Sequence, residues 1–178
     1  MSTQNPGGRR ATQVSVMTQT NINIIRVDYS NSRHGQDLCR LLHLYAEHET
    51  GTGEAISPGF FDALPRHLAN FPTSLSVLAY RGENAIGLVN AFFGFSTFLQ
   101  KRLINIHDVM VIPTERGRGV AGKMLDEIES IAKEHDCCRI TLEVLDRNQS
   151  ARNAYEKRGF AKTPYHPGCD TLFLQKPL

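Results

Sequence analysis

The residues best placed to do chemistry lie between 109 and 123, in the run Val-Met-Val-Ile-Pro-Thr-Glu-Arg-Gly-Arg-Gly-Val-Ala-Gly-Lys. A β-branched strand pattern ends at Pro113, a turn follows, and an amphipathic helical pattern begins. The first turn of a helix offers unbonded N–H groups and the positive end of the helix dipole, so it favours an anion. Glycines at Gly117, Gly119 and Gly122 allow close approach to the backbone, and Arg116 and Arg118 add positive charge. A diphosphate is the natural guest. As building material alone, Gly117 and Gly119 would make a tight strand-to-helix turn and Gly122 would permit close helix packing. That reading leaves the two arginines among them unexplained.

Three motifs overlap at this turn. Gly117, Gly119 and Gly122 satisfy G-x-G-x-x-G, and Glu143 follows about twenty residues later, the spacing of a dinucleotide-binding fold. However, residues 113–116 separate the strand from the first glycine, and too little chain follows to complete a doubly wound sheet. Residues 117–123 nearly satisfy G-x-x-x-x-G-K-[ST], but Met124 stands where a hydroxyl must ligate magnesium. The third reading uses more of the chain. Residues 116–121 (Arg-Gly-Arg-Gly-Val-Ala) resemble the [QR]-x-x-G-x-[GA] signature of the GCN5-related N-acetyltransferase (GNAT) superfamily. Asn148, Ala151 and the run Tyr155-Glu156-Lys157-Arg158-Gly159-Phe160 are similar to that family's next segment. The resemblance covers roughly residues 103–175, and the earlier elements agree in order rather than in motif.

The resemblance implies an acetyl-CoA-dependent N-acetyltransferase acting on a primary amine of a small molecule or peptide by direct attack on the thioester. It assigns the pyrophosphate to backbone N–H groups of Arg116, Gly117, Arg118, Gly119, Val120 and Ala121. It assigns the pantetheine arm to the strand at Val109, Met110 and Val111, with an N–H near Val109 or Met110 as oxyanion donor. Asn148 would touch the pantetheine, and Tyr155, seven residues on along the same helix, would be the general acid at the sulfur. The base stays open among His107, Asp108, Glu143 and a chain of waters. Strand alternation sends His107 and Asp108 to opposite faces, so at most one of them points at the acceptor. A rival reading on the same fold is a non-catalytic CoA-binding sensory module; the resemblance of Tyr155 to a proton donor argues against it.

These residues need a scaffold, and the chain supplies one. Strand patterns fall at 21–29, 74–80, 85–95, 103–112, 139–145, 160–165 and 171–175, with helical patterns at 35–49, 60–70, 117–134 and 148–158. The order β-α-α-β-β-β-α-β-α-β-β predicts an α/β fold of GNAT type, a mixed central sheet flanked by helices. Residues 1–20 read as a flexible tail and 21–178 as a single N-acetyltransferase domain. A net charge of +2 gives no reason to expect nucleic acid, and no apolar run is long enough to span a bilayer. The four cysteines, two of them adjacent at Cys137 and Cys138, suggest no disulfide framework; a cytoplasmic location is expected. His43, Glu47 and His48 do not form H-E-x-x-H, so no metal is expected. The resemblance puts Glu47, Glu49 and Glu54 at the border of the acceptor cleft, although a solvated helix end is the preferred reading of them. A homodimer follows from the resemblance alone.

Overall fold

The computed structural model describes residues 21–47 and 56–162, with Leu174 and Lys176. Its sheet contains β1 (Ile22–Arg26), β2 (Ser74–Arg81), β3 (Asn84–Ser96), β4 (Lys101–Val111) and β5 (Ile140–Leu142), adjacent in that order. The first four are antiparallel neighbours, and β5 runs parallel to β4. The helices are α1 (Ser32–Ala46), α2 (Leu64–Ala69), α3 (Val120–Glu134) and α4 (Gln149–Glu156). This is the expected mixed α/β order as far as the described residues go. The tail at 1–20 lies outside them, as does most of the last two expected strands; residues 160–162 are not in a strand.

The middle strands read as continuous apolar runs because both sheet faces are covered. Leu78, Leu88 and Met110 pack toward α1 and α2, while Val77, Val89, Ile104 and Ile106 pack toward α3. The apolar stripe Val120, Met124, Ile128 and Ile131 of α3 is fully covered. An ion-pair cluster ties the outer face of α3 to the sheet edge, with Arg26 of β1 reaching Glu127 at 2.7 Å and Glu134 at 2.6 Å.

Several element ends differ from the sequence pattern. Helix α1 is capped by Asn31, whose side chain accepts from the N–H groups of Arg33 and His34. Asp37, farther along α1, accepts from the Tyr80 hydroxyl at 2.8 Å. Pro65 stands in the first turn of α2, so that helix starts at Leu64 rather than near Phe60. Strand β5 ends at Leu142, three residues earlier than its β-branched pattern.

Candidate active site

β5 pairs with β4 only from Ile104 to Ile106, and beyond that point β4 continues alone on that side among the described residues. The two parallel strands therefore part, and the open edge belongs to Val109 and Val111. Their neighbours Met110 and Ile112 face the other way: Met110 is in register with Leu88, and the Ile112 N–H donates to Ile86 at 3.0 Å. Main-chain groups alternate sides along a strand. The pantetheine edge and oxyanion donor expected at Val109, Met110 or Val111 thus reduce to Val109 and Val111, while Met110 is a core side chain, 3% exposed.

The parting begins at a bulge. Ala91 opposes Ile106 and Asn90 opposes Asp108, leaving His107 as the extra residue. The bulge shifts the parity of β4 and overturns the alternation expected for His107 and Asp108. Both belong to the α1 face: the His107 ring meets Phe92 edge-on with centroids 5.0 Å apart, and Asp108 accepts from Asn90 Nδ2 at 3.0 Å. Glu143, expected on a strand, lies one residue past the end of β5 and is exposed. The ladder with β4 stops at the Ile106–Leu142 pair, immediately before the bulged His107, and β5 ends with it.

Past β4, a 3-10 turn at Pro113–Glu115 leads into the glycines. Glu115 is held by Arg81 of β2 through two hydrogen bonds of 3.0 and 2.8 Å. That guanidinium keeps the carboxyl below the usual glutamate range. Arg116 Nε donates to the Val111 carbonyl at 3.0 Å, locking the turn onto the open strand end. Arg118 is exposed and stands 4.0 Å from Glu115. Gly117 and Gly119 have φ of +75° and +80°, and a Cβ at either would meet nothing within 4 Å. The backbone conformation, not crowding, requires glycine here. Gly119 caps α3 with no side chain, and the Lys123 N–H donates to Gly119 O at 3.1 Å, closing the first helical turn. The N–H groups of Val120, Ala121 and Gly122 are left to an outside acceptor. The donor set fits a diphosphate.

Gly122 has a different reason. A Cβ there would collide with the Arg158 guanidinium, which donates from Nε to Gly122 O at 3.2 Å and to Asp126 at 3.1 Å. Arg158 thereby ties the end of α4 to the start of α3. Asn148 is the N-cap of α4 rather than part of its face, and its Oδ1 accepts from Ala151 N–H at 3.1 Å. Its Nδ2 and the second lone pair of Oδ1 remain for another partner. At the other end, Gly159 (φ +81°) lets the Phe160 N–H reach back to Tyr155 O at 3.2 Å, and the Phe160 ring contacts Tyr155. The helix stop therefore fixes the Tyr155 ring. Burial pushes its phenol up to about 12, with a smaller contribution from Tyr45. Burial and the charge of Asp108 likewise raise Tyr45 on α1. Tyr45 packs with the core on the α1 face and Tyr155 with the core on the α3 face, yet Tyr45 still contributes to the Tyr155 shift.

Residues 38–160 match the Acetyltransferase (GNAT) family. The chain belongs to the GNAT family. It is similar to the uncharacterized N-acetyltransferase YhfO of Bacillus subtilis (strain 168), 28% identical over 54% of this chain and 64% of that one. It is also similar to the thialysine N-epsilon-acetyltransferase of Bos taurus, 30% identical over 44% of this chain and 46% of the relative. The matches thus span about half to two thirds of these curated relatives. Among solved structures, AAC(6')-Iy in complex with the bisubstrate analog CoA-S-monomethyl-acetylneamine superposes with a TM-score of 0.70 at 16% identity, covering 89% of this chain and 99% of that one. At that identity the likeness establishes the fold.

In this GNAT chain, sequence reasoning assigned no part in the site to Tyr29, Tyr45, Ser76 or Asn90, and Arg158 appeared only as a member of a motif. The only signal for two of them was a polar residue inside an apolar strand run, at Ser76 and Asn90, which are 2% and 5% exposed. A cleft of about 760 Å³ opens between α1 and α2, lined by Tyr29, Arg40, His43, Glu47 and Asp62 among others. Of the acidic stretch near it, Glu47 is the C-cap residue of α1, while His48, Glu49 and Glu54 lie outside the described residues. No group of three or more His, Cys, Asp or Glu side chains suited to a metal occurs among the described residues.

Proposed function

We propose that this protein transfers an acetyl group from acetyl-CoA to a primary amine of a small molecule or peptide. The observation that carries the reading is the pairing of two features within one gap. One is the unsatisfied N–H row of Val120, Ala121 and Gly122; the other is the open edge of β4 at Val109 and Val111. A diphosphate at the first and an extended amide arm along the second are the two ends of one coenzyme. Tyr155, buried against the α3-side core and the Phe160 ring, is the proton donor assigned to the end of that arm.

In the reaction, the acceptor ammonium loses a proton and its nitrogen forms a bond to the thioester carbonyl carbon. The Val109 N–H, as a main-chain donor on the open edge, supports the negative charge that develops on the carbonyl oxygen. The carbon–sulfur bond breaks, and the sulfur leaves with the electron pair. Tyr155 donates its phenolic proton to that sulfur, and the second proton that the acylated nitrogen sheds as the neutral amide forms restores the phenol. Burial holds the phenol protonated at neutral pH, and the same dry gap raises the proton affinity of a thiolate placed in it, so donor and acceptor shift together. Asp108 and His107, which share the α1 face at the bulge, are two candidates for the amine proton. Glu143 remains the third, from the exposed end of β5.

The test is calorimetric titration with acetyl-CoA followed by thiol release with a panel of amines, among them thialysine, spermidine and neamine. Binding of the coenzyme with release only in the presence of an amine supports an enzyme. Binding with no release for any amine leaves the sensory-module reading, and no binding removes both.

A further inference from the structure

Four side chains form an unbroken line of hydrogen bonds across the α1 face of the sheet. The Tyr29 hydroxyl lies 2.9 Å from Ser76 Oγ, Ser76 Oγ lies 2.6 Å from Asn90 Oδ1, and Asn90 Nδ2 lies 3.0 Å from Asp108 Oδ2. The direction of the line follows from its last member. An ionised carboxylate only accepts, so Asn90 must present its amide nitrogen to Asp108 and its carbonyl oxygen to Ser76. Ser76 spends its only hydrogen on that oxygen, so Tyr29 must donate to Ser76. Every donor points toward Asp108.

A carboxamide in the middle of the line cannot pass a proton onward without changing its tautomer, so this is no proton wire. What it can do is hold an orientation. Ser76 and Asn90 are buried among Leu78, Leu88 and their neighbours, where apolar side chains would pack with no desolvation cost. The line ends at the β4 bulge, beside the gap where the two strands part, and it occupies only one oxygen of Asp108. The other, Oδ1, has no hydrogen-bond partner among the described residues.

We propose that Tyr29, Ser76 and Asn90 are positioning residues that hold Asp108 so that its second oxygen receives the ammonium group of a cationic acceptor. The proposal rests on the acetyltransferase reading and deepens it, because it gives the acceptor a charge. Tyr29 precedes α1 and lines the cleft between α1 and α2, so the line also links that cleft to the acetyl-transfer gap.

Steady-state kinetics with thialysine, spermidine and neamine test it, alongside calorimetry with acetyl-CoA. Tyr29→Phe should raise the KM of a reacting amine about fivefold, the worth of one hydrogen bond in a charged network, with coenzyme affinity unchanged. Asp108→Asn should raise it further, and adding Tyr29→Phe to Asp108→Asn should then change nothing. Equal effects of Tyr29→Phe in both backgrounds, or none in either, overturn the proposal. If no probe reacts, the side-chain amide of Asn90 decides, identified in ¹⁵N NMR by its loss in Asn90→Ala. One of its two protons should lie downfield of the other, move back in Asp108→Asn, and shift in Tyr29→Phe; a signal indifferent to both variants overturns the proposal. Unaltered acetyl-CoA binding in such a case leaves the enzyme reading standing, whereas a wild-type protein that binds no acetyl-CoA fails at the earlier step.

Discussion

Tyr155 concentrates the chemistry at the scale of a single residue. Its phenol is pushed up to about 12 chiefly by burial, so the protonated form persists throughout the working range of an enzyme. Tyr155→Phe should therefore lower kcat by about 100-fold, the low end of general acid catalysis, with little change in acetyl-CoA affinity. Stopped-flow thiol release and calorimetry separate the two quantities, and a variant with wild-type kcat would remove Tyr155 from the mechanism. The same shift predicts a kcat profile with no alkaline limb from Tyr155 below about pH 11. Its place in the sequence pointed to a role, and the Phe160 contact is local to the same helix stop, but the approach of Tyr45 comes from α1, distant in the chain.

At the scale of elements, the site depends on how two helix starts and one helix stop are built. Asn148 caps α4 with its own oxygen, so Asn148→Ala should destabilise the protein by about 1 kcal/mol and loosen the helix that carries Tyr155. Urea denaturation gives the first effect, and amide exchange within α4 the second. Gly119→Ala places a side chain at φ +80°, which costs about 1–2 kcal/mol and should weaken acetyl-CoA binding through the displaced N–H groups of α3. Calorimetry that finds the coenzyme bound as tightly to Gly119→Ala as to the wild type would count against that turn as the diphosphate site. The turn was legible from its glycines and arginines. The jobs of those arginines were not, since Arg116 spends its Nε on the Val111 carbonyl and Arg81, from another strand, holds Glu115.

For the whole molecule, the sheet is a wall with a core on each side, and buried tyrosines link its stability to pH. Tyr80 donates to Asp37 inside the α1-facing core, and burial followed by that carboxylate pushes it up to about 12. Both Tyr80 and Tyr155 titrate higher when folded than the ordinary tyrosine value of about 10. Above about pH 10 the unfolded chain loses those protons while the native one keeps them, so stability must fall between about pH 10 and pH 12. Tyr80→Phe should flatten that part of the curve, measured as denaturation midpoints at each pH. An identical slope in the variant would place the linkage elsewhere.

By itself the sequence determined the order of elements, the glycine turn and the family it belongs to, because hydrophobic period and turn chemistry are local properties. Residues 103–160 carried nearly all of that signal. Only the tertiary structure decided which side chains face one another. A single extra residue at His107 reversed the parity of β4 and put His107 and Asp108 on one face, and no pattern within β4 announces a bulge that is defined by its neighbour β3. The line from Tyr29 through Ser76 and Asn90 to Asp108 draws on four separate segments, and hydrogen bonds of that kind exist only once strand register has been set.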